Sequence, residues 1–360
     1  MAPVVTGGRL AVGTAEAGPG ERAFGHLRVP LPDGQDVAVP CWVLRGRADG
    51  PVLYVHSTQH GNEISGIEVV RRVAQALNPR RLRGTVIAVP VANPLALRWR
   101  RHHYLQGPEE AYQARPELDL DHWWPGLPDG TPVQRLAHAL WDGAVRHATH
   151  VLDLHTWNRW QAAATTVRAW HAPSLDLARA FGLWVQARPP DASEGADSFG
   201  SVTGMAIRHG KAACAPNFTG QWDIYEPQVR RGVAGLRNVL RQLGMLAGAP
   251  WPMGQSGGAA PPGRPAPPVF SLDDLVAVTA PHAGLFLPRV RPEAPVRRGQ
   301  ALGQLIRQDD LRPVEVPAPV DALVYLIGAI GPGADVALPP MMPLTQPGGR
   351  VARLLPIAVA

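Results

Sequence analysis

From residue 51 onward, short apolar runs alternate with longer stretches of helical periodicity. Residues 52–56 form an apolar run, 64–77 repeat their apolar positions at helical spacing, and 85–92 return to a short apolar run. After a long loop the alternation resumes with a helix over 133–147, a strand over 151–155, a helix over 174–187 and a strand over 212–216. Val229, Val233, Leu236, Val239, Leu240 and Leu243 then mark a long amphipathic helix over 229–246. Strands alternating with helices predict βαβ units. The fold class is α/β, a mixed and largely parallel sheet flanked by helices. Residues 9–44, short apolar runs broken by Gly and Pro, read as a β-rich lead-in.

The periodicity stops at residue 247. Seven prolines among glycines between Pro250 and Pro268 mark a linker. Beyond it Ala280-Pro281-His282-Ala283-Gly284-Leu285-Phe286 is echoed by Ala318-Pro319-Val320-Asp321-Ala322-Leu323-Val324. Two β half-motifs predict a small sandwich with pseudo-twofold symmetry, similar to the barrel-sandwich domains of biotinyl and lipoyl carriers. The expected division is therefore 1–246, an α/β domain; 247–268, the linker; and 269–360, a β-sandwich. No lysine follows Lys211, so the sandwich cannot carry biotin or lipoate in the usual way, and its expected role is to cover or shape the site.

Composition narrows the function classes. The 360 residues are 45% hydrophobic with no unbroken apolar run of membrane-spanning length, so no membrane partner is expected. Met1-Ala2-Pro3-Val4-Val5 lacks the basic segment and apolar core of a signal peptide, which makes the cytoplasm the expected location. A net charge of +6 raises nucleic acid as a partner, but the arginines are scattered and Lys211 is the only lysine. That pattern reflects a GC-rich genome rather than a binding surface, so nucleic acid is not expected. Cys41 and Cys214 give no disulfide framework and no CxxC pair; both are expected to be buried thiols. The partner is expected to be a small-molecule substrate, with self-association left open.

The apolar run at 52–56 ends in Ser57-Thr58-Gln59-His60-Gly61-Asn62-Glu63, a His-x-x-Glu pair. The run at 151–155 brings His155 to another strand end, 92 residues after Glu63. Catalytic zinc takes three His or carboxylate ligands and keeps one position open. Two ligands three residues apart reach one ion, and a third from a distant strand completes the set. His60, Glu63 and His155 are thus the expected ligands of one Zn2+ per chain, placed where open α/β sheets carry their sites. Asp153 is expected to orient a ligand.

His60-Gly61-Asn62-Glu63, Asn93-Pro94-Leu95-Ala96, Leu118 to Gly126 (LDLDHWWPG), Asp153-Leu154-His155 and the closing Gly235 to Leu246 follow one another in an order that resembles the succinylglutamate desuccinylase/aspartoacylase family. The resemblance covers nearly the whole chain after about residue 50. It implies a zinc carboxypeptidase-like α/β fold, a small β-sandwich at the C-terminal end, and hydrolysis of an amide on a small N-acyl compound.

Two positions depart from that family. Its water-activating glutamate falls on Asn217, and an amide cannot take and return a proton at neutral pH. Glu226 is weighed as a replacement base against service at a helix N-terminus. Lys211 is weighed as a lowered-pKa amine near that position against a surface lysine at a strand entry. The family's Asn-Arg pair, whose arginine grips a substrate carboxylate, is Asp121-His122 here. Asp121 then meets a positive charge on the substrate or the carboxylate is absent there, while His122 serves as acid/base or simply packs beside Trp123. Arg98, Arg100 or Arg101 supplies carboxylate or oxyanion contacts, with Arg100 central to the segment. Trp123, Trp124, Trp157, Trp160, Trp170 and Trp222 line a pocket or belong to the core. The leading expectation is a zinc-dependent deacylase with an altered catalytic set. The alternatives are a non-hydrolytic zinc enzyme catalysing cyclisation, condensation or elimination, and an inactive metal- or ligand-binding protein.

Overall fold

The computed structural model of the chain describes residues 8–105, 115–157, 162–169, 171–187, 200–218, 220–252, 266–330 and 344–357. They form two compact units. The first is made by residues up to 156 with 166–218 and 222–268, the second by 157–165, 219–221 and 269–360. Two short segments inside the α/β region join the second unit. Of the linker, 253–265 lie outside the described residues, as do Trp160 and Trp170.

The first unit is built on strands β1 (Arg22–Pro30), β2 (Asp36–Arg45), β3 (Ala48–Ser57), β4 (Arg83–Val89), β5 (His150–Thr156), β6 (Thr166–Ala169), β7 (Trp184–Ala187) and β8 (Ala212–Phe218). Their order across the sheet is β7-β6-β8-β5-β3-β4-β2-β1. The central β8, β5, β3 and β4 run parallel, while β6 meets β8, and β4 meets β2, antiparallel. The sheet is mixed with a parallel centre, as the alternation predicts.

Helices α1 (Ser65–Ala76), α2 (Pro94–Trp99), α3 (Pro132–Gly143), α4 (Ala172–Phe181), α5 (Val202–Arg208) and α6 (Glu226–Gln242) complete the unit. Side chains alternate along a strand, so each central strand feeds two apolar layers. Leu53, Val55, Leu152 and Leu154 enter the layer that holds Val69, Val73, Phe181, Leu236 and Val239; Tyr54 and Val151 enter the layer that holds Leu136, Leu140 and Val202. Close helix packing rests on two glycines of α6. A Cβ on Gly232 would lie 2.5 Å from Val69 Cγ2, and one on Gly235 would lie 2.4 Å from Phe181 Cε1.

One expected helix divides. The apolar periodicity over 174–187 breaks at Gly182, which adopts φ +83° as the left-handed cap of α4. Trp184 to Ala187 then form β7. The other expected elements are present with ends shifted by a few residues, α6 ending at Gln242 rather than 246. Cys41 and Cys214 are both buried and free. Among the described residues no helix is long and apolar enough to cross a membrane.

The second unit contains two sheets. One orders Val276–Thr279, Arg350–Pro356, Ala322–Ile330 and Pro295–Val296, with Ala162–Ala163 also pairing to Ala322–Ile330; the other orders Pro313–Pro317, Ala301–Arg307, Gly284–Pro288 and Leu344–Thr345. Phe286, Leu302, Leu305, Val316, Val324 and Leu354 share its core. The two sequence repeats lead into Gly284–Pro288 and Ala322–Ile330, one in each sheet.

Candidate metal centre

The loop after β3 carries His60 and Glu63, and its path is fixed by close packing on α2. A Cβ on Gly61 would lie 2.0 Å from the Ala96 carbonyl oxygen, so the turn admits only glycine. Asn93 caps α2 by accepting from the Ala96 N–H and donates its amide to the Gln59 carbonyl at 2.9 Å. One asparagine thereby fixes both the helix and the loop that crosses it.

His60, Glu63 and His155 converge, each buried. Glu63 Oε1 lies 3.1 Å from His60 Nδ1, and Glu63 Oε2 lies 3.0 Å from both His155 Nδ1 and the Thr156 N–H. The opposite ring nitrogens meet carboxylates, His60 Nε2 with Asp119 at 3.2 Å and His155 Nε2 with Asp153 at 2.8 Å. Each imidazole therefore turns Nδ1 toward Glu63 and is held from behind by an acid, the arrangement that orients histidines on a metal. His60 Nδ1 is fully buried, and Glu63 is the carboxylate it faces. An N2O donor set whose ligand atoms converge in this way fits zinc.

Electrostatics favour a cation here. Burial works against a charged His60, yet Glu63 and Asp119 outweigh it and raise its pKa well above the ordinary value. His155, likewise opposed by burial, is lifted to about 10 by Asp153 and Glu63. Burial would raise Glu63, but His60 and His155 hold its carboxyl well below the usual range. The buried acids thus hold protons on the two imidazoles that a metal ion would displace.

A further layer surrounds this cluster. Asp153 also meets His56 Nε2 at 2.8 Å and accepts from Gln59 Nε2 at 2.8 Å. The Tyr54 hydroxyl lies 3.0 Å from His56 Nδ1, and Trp124 Nε1 donates to Gln59 Oε1 at 2.8 Å. His102 stacks on His60 with ring centroids 3.7 Å apart. His103, whose pKa burial lowers to about 4, has Nδ1 3.9 Å from Asp119. Sequence reasoning did not single out His56, Gln59, His102, His103 or Asp119 as site residues. The only local signal was the density of His and Asp in 102–103 and 119–122.

The other sequence-selected residues divide. Asn217 pairs in register with His155 on the neighbouring parallel strand, so both side chains stand on one face, and Asn217 is buried. Asp121 accepts from Gln59 Nε2 at 3.2 Å, and burial with the nearby Asp153 raises its pKa. His122 is exposed, its Nε2 3.9 Å from Asp119. Arg98 and Arg100 are exposed at the end of α2, where Arg100 adopts φ +55° and its carbonyl accepts from Trp222 Nε1. Trp124 is buried while Trp123 is half-exposed, its indole N–H donating to the Glu117 carbonyl. Trp157 falls in the second unit.

Lys211 and Glu226 are not brought to the cluster. Lys211 lies just before β8, at the opposite end of the strand from Asn217, and its ammonium donates to the carbonyls of Arg146 and Ala148. Glu226 opens α6 and pairs with Arg72 and Arg230, each at 2.9 Å. Hydrogen bonds from Arg72 and Arg230 lower its pKa to about 2. Its contribution to stability is therefore complete above the ordinary carboxylate pKa and is lost as pH falls through about 2. Glu226→Gln is expected to keep zinc content and turnover within about twofold of the parent, since surface pairs contribute little. Melting curves between pH 2 and 7 should converge for the two proteins at the acid end. A collapse of turnover at unchanged fold would instead make Glu226 the base.

At the strand ends of a parallel-centred α/β sheet, a His-x-x-Glu pair and a distant histidine come together as a group that could hold a metal ion. Residues 49–243, more than half of the chain, match the family model described as the succinylglutamate desuccinylase/aspartoacylase catalytic domain. The chain belongs to that family. It is 28% identical over 140 residues to the N-alpha-acetyl-L-2,4-diaminobutyric acid deacetylase of Halomonas elongata, a stretch that spans 38% of each protein. Its fold is similar to that of a succinylglutamate desuccinylase/aspartoacylase from Rhodobacter sphaeroides, with a TM-score of 0.68 and 23% identity over 94% of this chain and 96% of that one. It is also similar to the product-bound ectoine utilization protein EutE (DoeB) of Ruegeria pomeroyi, with a TM-score of 0.67 and 21% identity over 93% and 95%.

Proposed function

We propose that the protein is a zinc-dependent deacylase that hydrolyses the amide of a small N-acyl compound, with His60, Glu63 and His155 as the metal ligands. The observation that carries this reading is the convergence of His60 Nδ1, Glu63 and His155 Nδ1 with a carboxylate behind each imidazole. Zinc held there would act as a Lewis acid toward an amide carbonyl and lower the pKa of water. The chain's own part is to hold that geometry. Asp119 and Asp153 fix the two rings, the Thr156 N–H fixes one Glu63 oxygen, and Trp124 orders Gln59 against Asp153.

Asn217 occupies the place beside His155 that the family resemblance gives to the water-activating glutamate, and its amide takes no proton. The reading is therefore of a hydrolase with weak water activation. The same position favours, as a second reading, a non-hydrolytic reaction such as cyclisation, condensation or elimination at the same metal. The test is turnover of a panel of N-acyl amino acids by zinc-loaded protein, followed by release of the free amine. The deacetylase name of the Halomonas relative supports starting with N-acetyl compounds. Release of amine that stops on chelation is the expected result. Conversion of an unacylated amine or keto compound without amide cleavage would replace hydrolysis by the second reading.

A further inference from the structure

The N-terminal ends of the central strands, remote from the metal cluster, border a second concavity. Arg45 closes β2 and pairs with Thr85 of β4, which in turn pairs with Val52 of β3. Residues paired in this way present their side chains on one face. Leu44, Leu53 and Val86, one position along, enter the layer of α1 and α6. Arg45, Thr85 and Val52 therefore stand on the other face, where Val52 and Leu10 pack. Five residues of β3 separate Val52 from Ser57, roughly 17 Å, and the loop that carries His60 begins only there.

Arg45, Thr85, Val52 and Leu10 line a cavity of about 330 Å³. Small-molecule sites begin at roughly 300 Å³. Three glycines lie in its wall, so little side-chain bulk fills it. At Gly84, with φ +76°, a Cβ would lie 2.1 Å from the Pro51 carbonyl oxygen, which keeps that part of the wall bare backbone. Two charges of opposite sign line the space, the half-buried Arg45 and the exposed Asp49. Neither forms an ion pair among the described residues, and Arg45 Nη1 is buried without a hydrogen-bond partner. Buried donors are nearly always satisfied, and the residue that carries this one lines a cavity of ligand size. A guanidinium selects a carboxylate through its planar fork, a hydroxyl donates to the same group, and a carboxylate accepts from an ammonium. A plain anion would be repelled by Asp49 and a plain cation by Arg45.

We propose that this cavity is a second small-molecule site, separate from the metal cluster, and that it binds a free amino acid. The ligand's carboxylate lies on the Arg45 guanidinium and the Thr85 hydroxyl, and its ammonium lies at Asp49. The proposal does not rest on the deacylase reading. A ligand held there leaves the metal cluster, at the other end of β3, unobstructed.

The test is calorimetric titration of the full chain with unmodified amino acids, in the presence of a chelator so that no metal ion holds them. Acetate and methylamine, which each carry one of the two charges, are the comparison probes. Wild type should bind an amino acid roughly 10-fold or more tighter than either probe, and Arg45→Gln should weaken that binding roughly 10–100-fold. Arg45→Lys, which keeps the charge without the fork, should retain part of it. Asp49→Asn, at an exposed position where folding is not at stake, should bring the amino acid down to the level of acetate. No binding of any amino acid to wild type overturns the site. Acetate binding as tightly as the amino acids, or amino-acid binding that survives Arg45→Gln or Asp49→Asn, overturns it equally.

Discussion

Replacing His60 and His155 together by alanine is expected to take bound zinc from about one ion per chain to background, with turnover lost alongside it. The expectation follows from the donor geometry. Glu63 would remain as a single carboxylate, with His102 Nδ1 3.9 Å from it, where the two lost imidazoles approach at 3.1 and 3.0 Å. Removing the imidazoles also strips Asp119 of its closest histidine and leaves Asp153 with His56 and Gln59. Breaking buried pairs from one side costs about 3–5 kcal/mol, so the variant should also melt earlier. Elemental analysis and melting curves with and without added zinc separate the two effects. Zinc should raise the melting temperature of the parent, since a ligand that binds only the folded state stabilises it. It should leave the variant unmoved. A parent that stays metal-free when zinc is supplied, or a variant that retains it, would sink the centre.

Asn217→Glu is expected to raise amide hydrolysis by about 10²–10⁴-fold, the usual contribution of a positioned general base. The new carboxylate would stand beside His155 on the adjoining strand, and it would be buried. Burial raises a carboxyl pKa, toward the range in which a base works at neutral pH. Asn217→Gln has the length of glutamate without its basicity and is the control. Rates with the same N-acyl substrate decide the matter. If Glu and Gln variants turn over equally, water activation in this chain does not depend on residue 217. Pair register alone would then have misled.

The fold was legible where apolar spacing is regular. Leu53, Val55, Leu152 and Leu154 mark their strands because both faces of a parallel strand are buried, and the α6 periodicity survives its arginines. The 174–187 stretch misled because Leu183 and Val185 continue a helical count, and only Gly182 signals the stop. In the candidate site, His60 and Glu63 were visible because they follow an apolar run within seven residues, and His155 because it closes one. Asp119, His102 and His103 were not, since their meaning depends on a long loop folding back on residue 60. Nearness in sequence failed for Lys211. Six residues of extended strand separate it from Asn217 by roughly 20 Å, so the lone lysine serves the far end of the sheet.

The two cysteines, described above only as buried thiols, lie on opposite sides of one sheet. Cys41 of β2 sits in the layer beneath α3, and Cys214 of β8 in the layer shared with α4 and α6. Burial pushes the Cys41 thiol up to about 12 and the Cys214 thiol higher still, so almost no thiolate exists at neutral pH while the sheet is closed. Alkylation must then wait for each layer to open. The protein therefore carries two built-in clocks, one per side, whose labelling rates would tell whether the halves of the α/β unit come apart together or in turn.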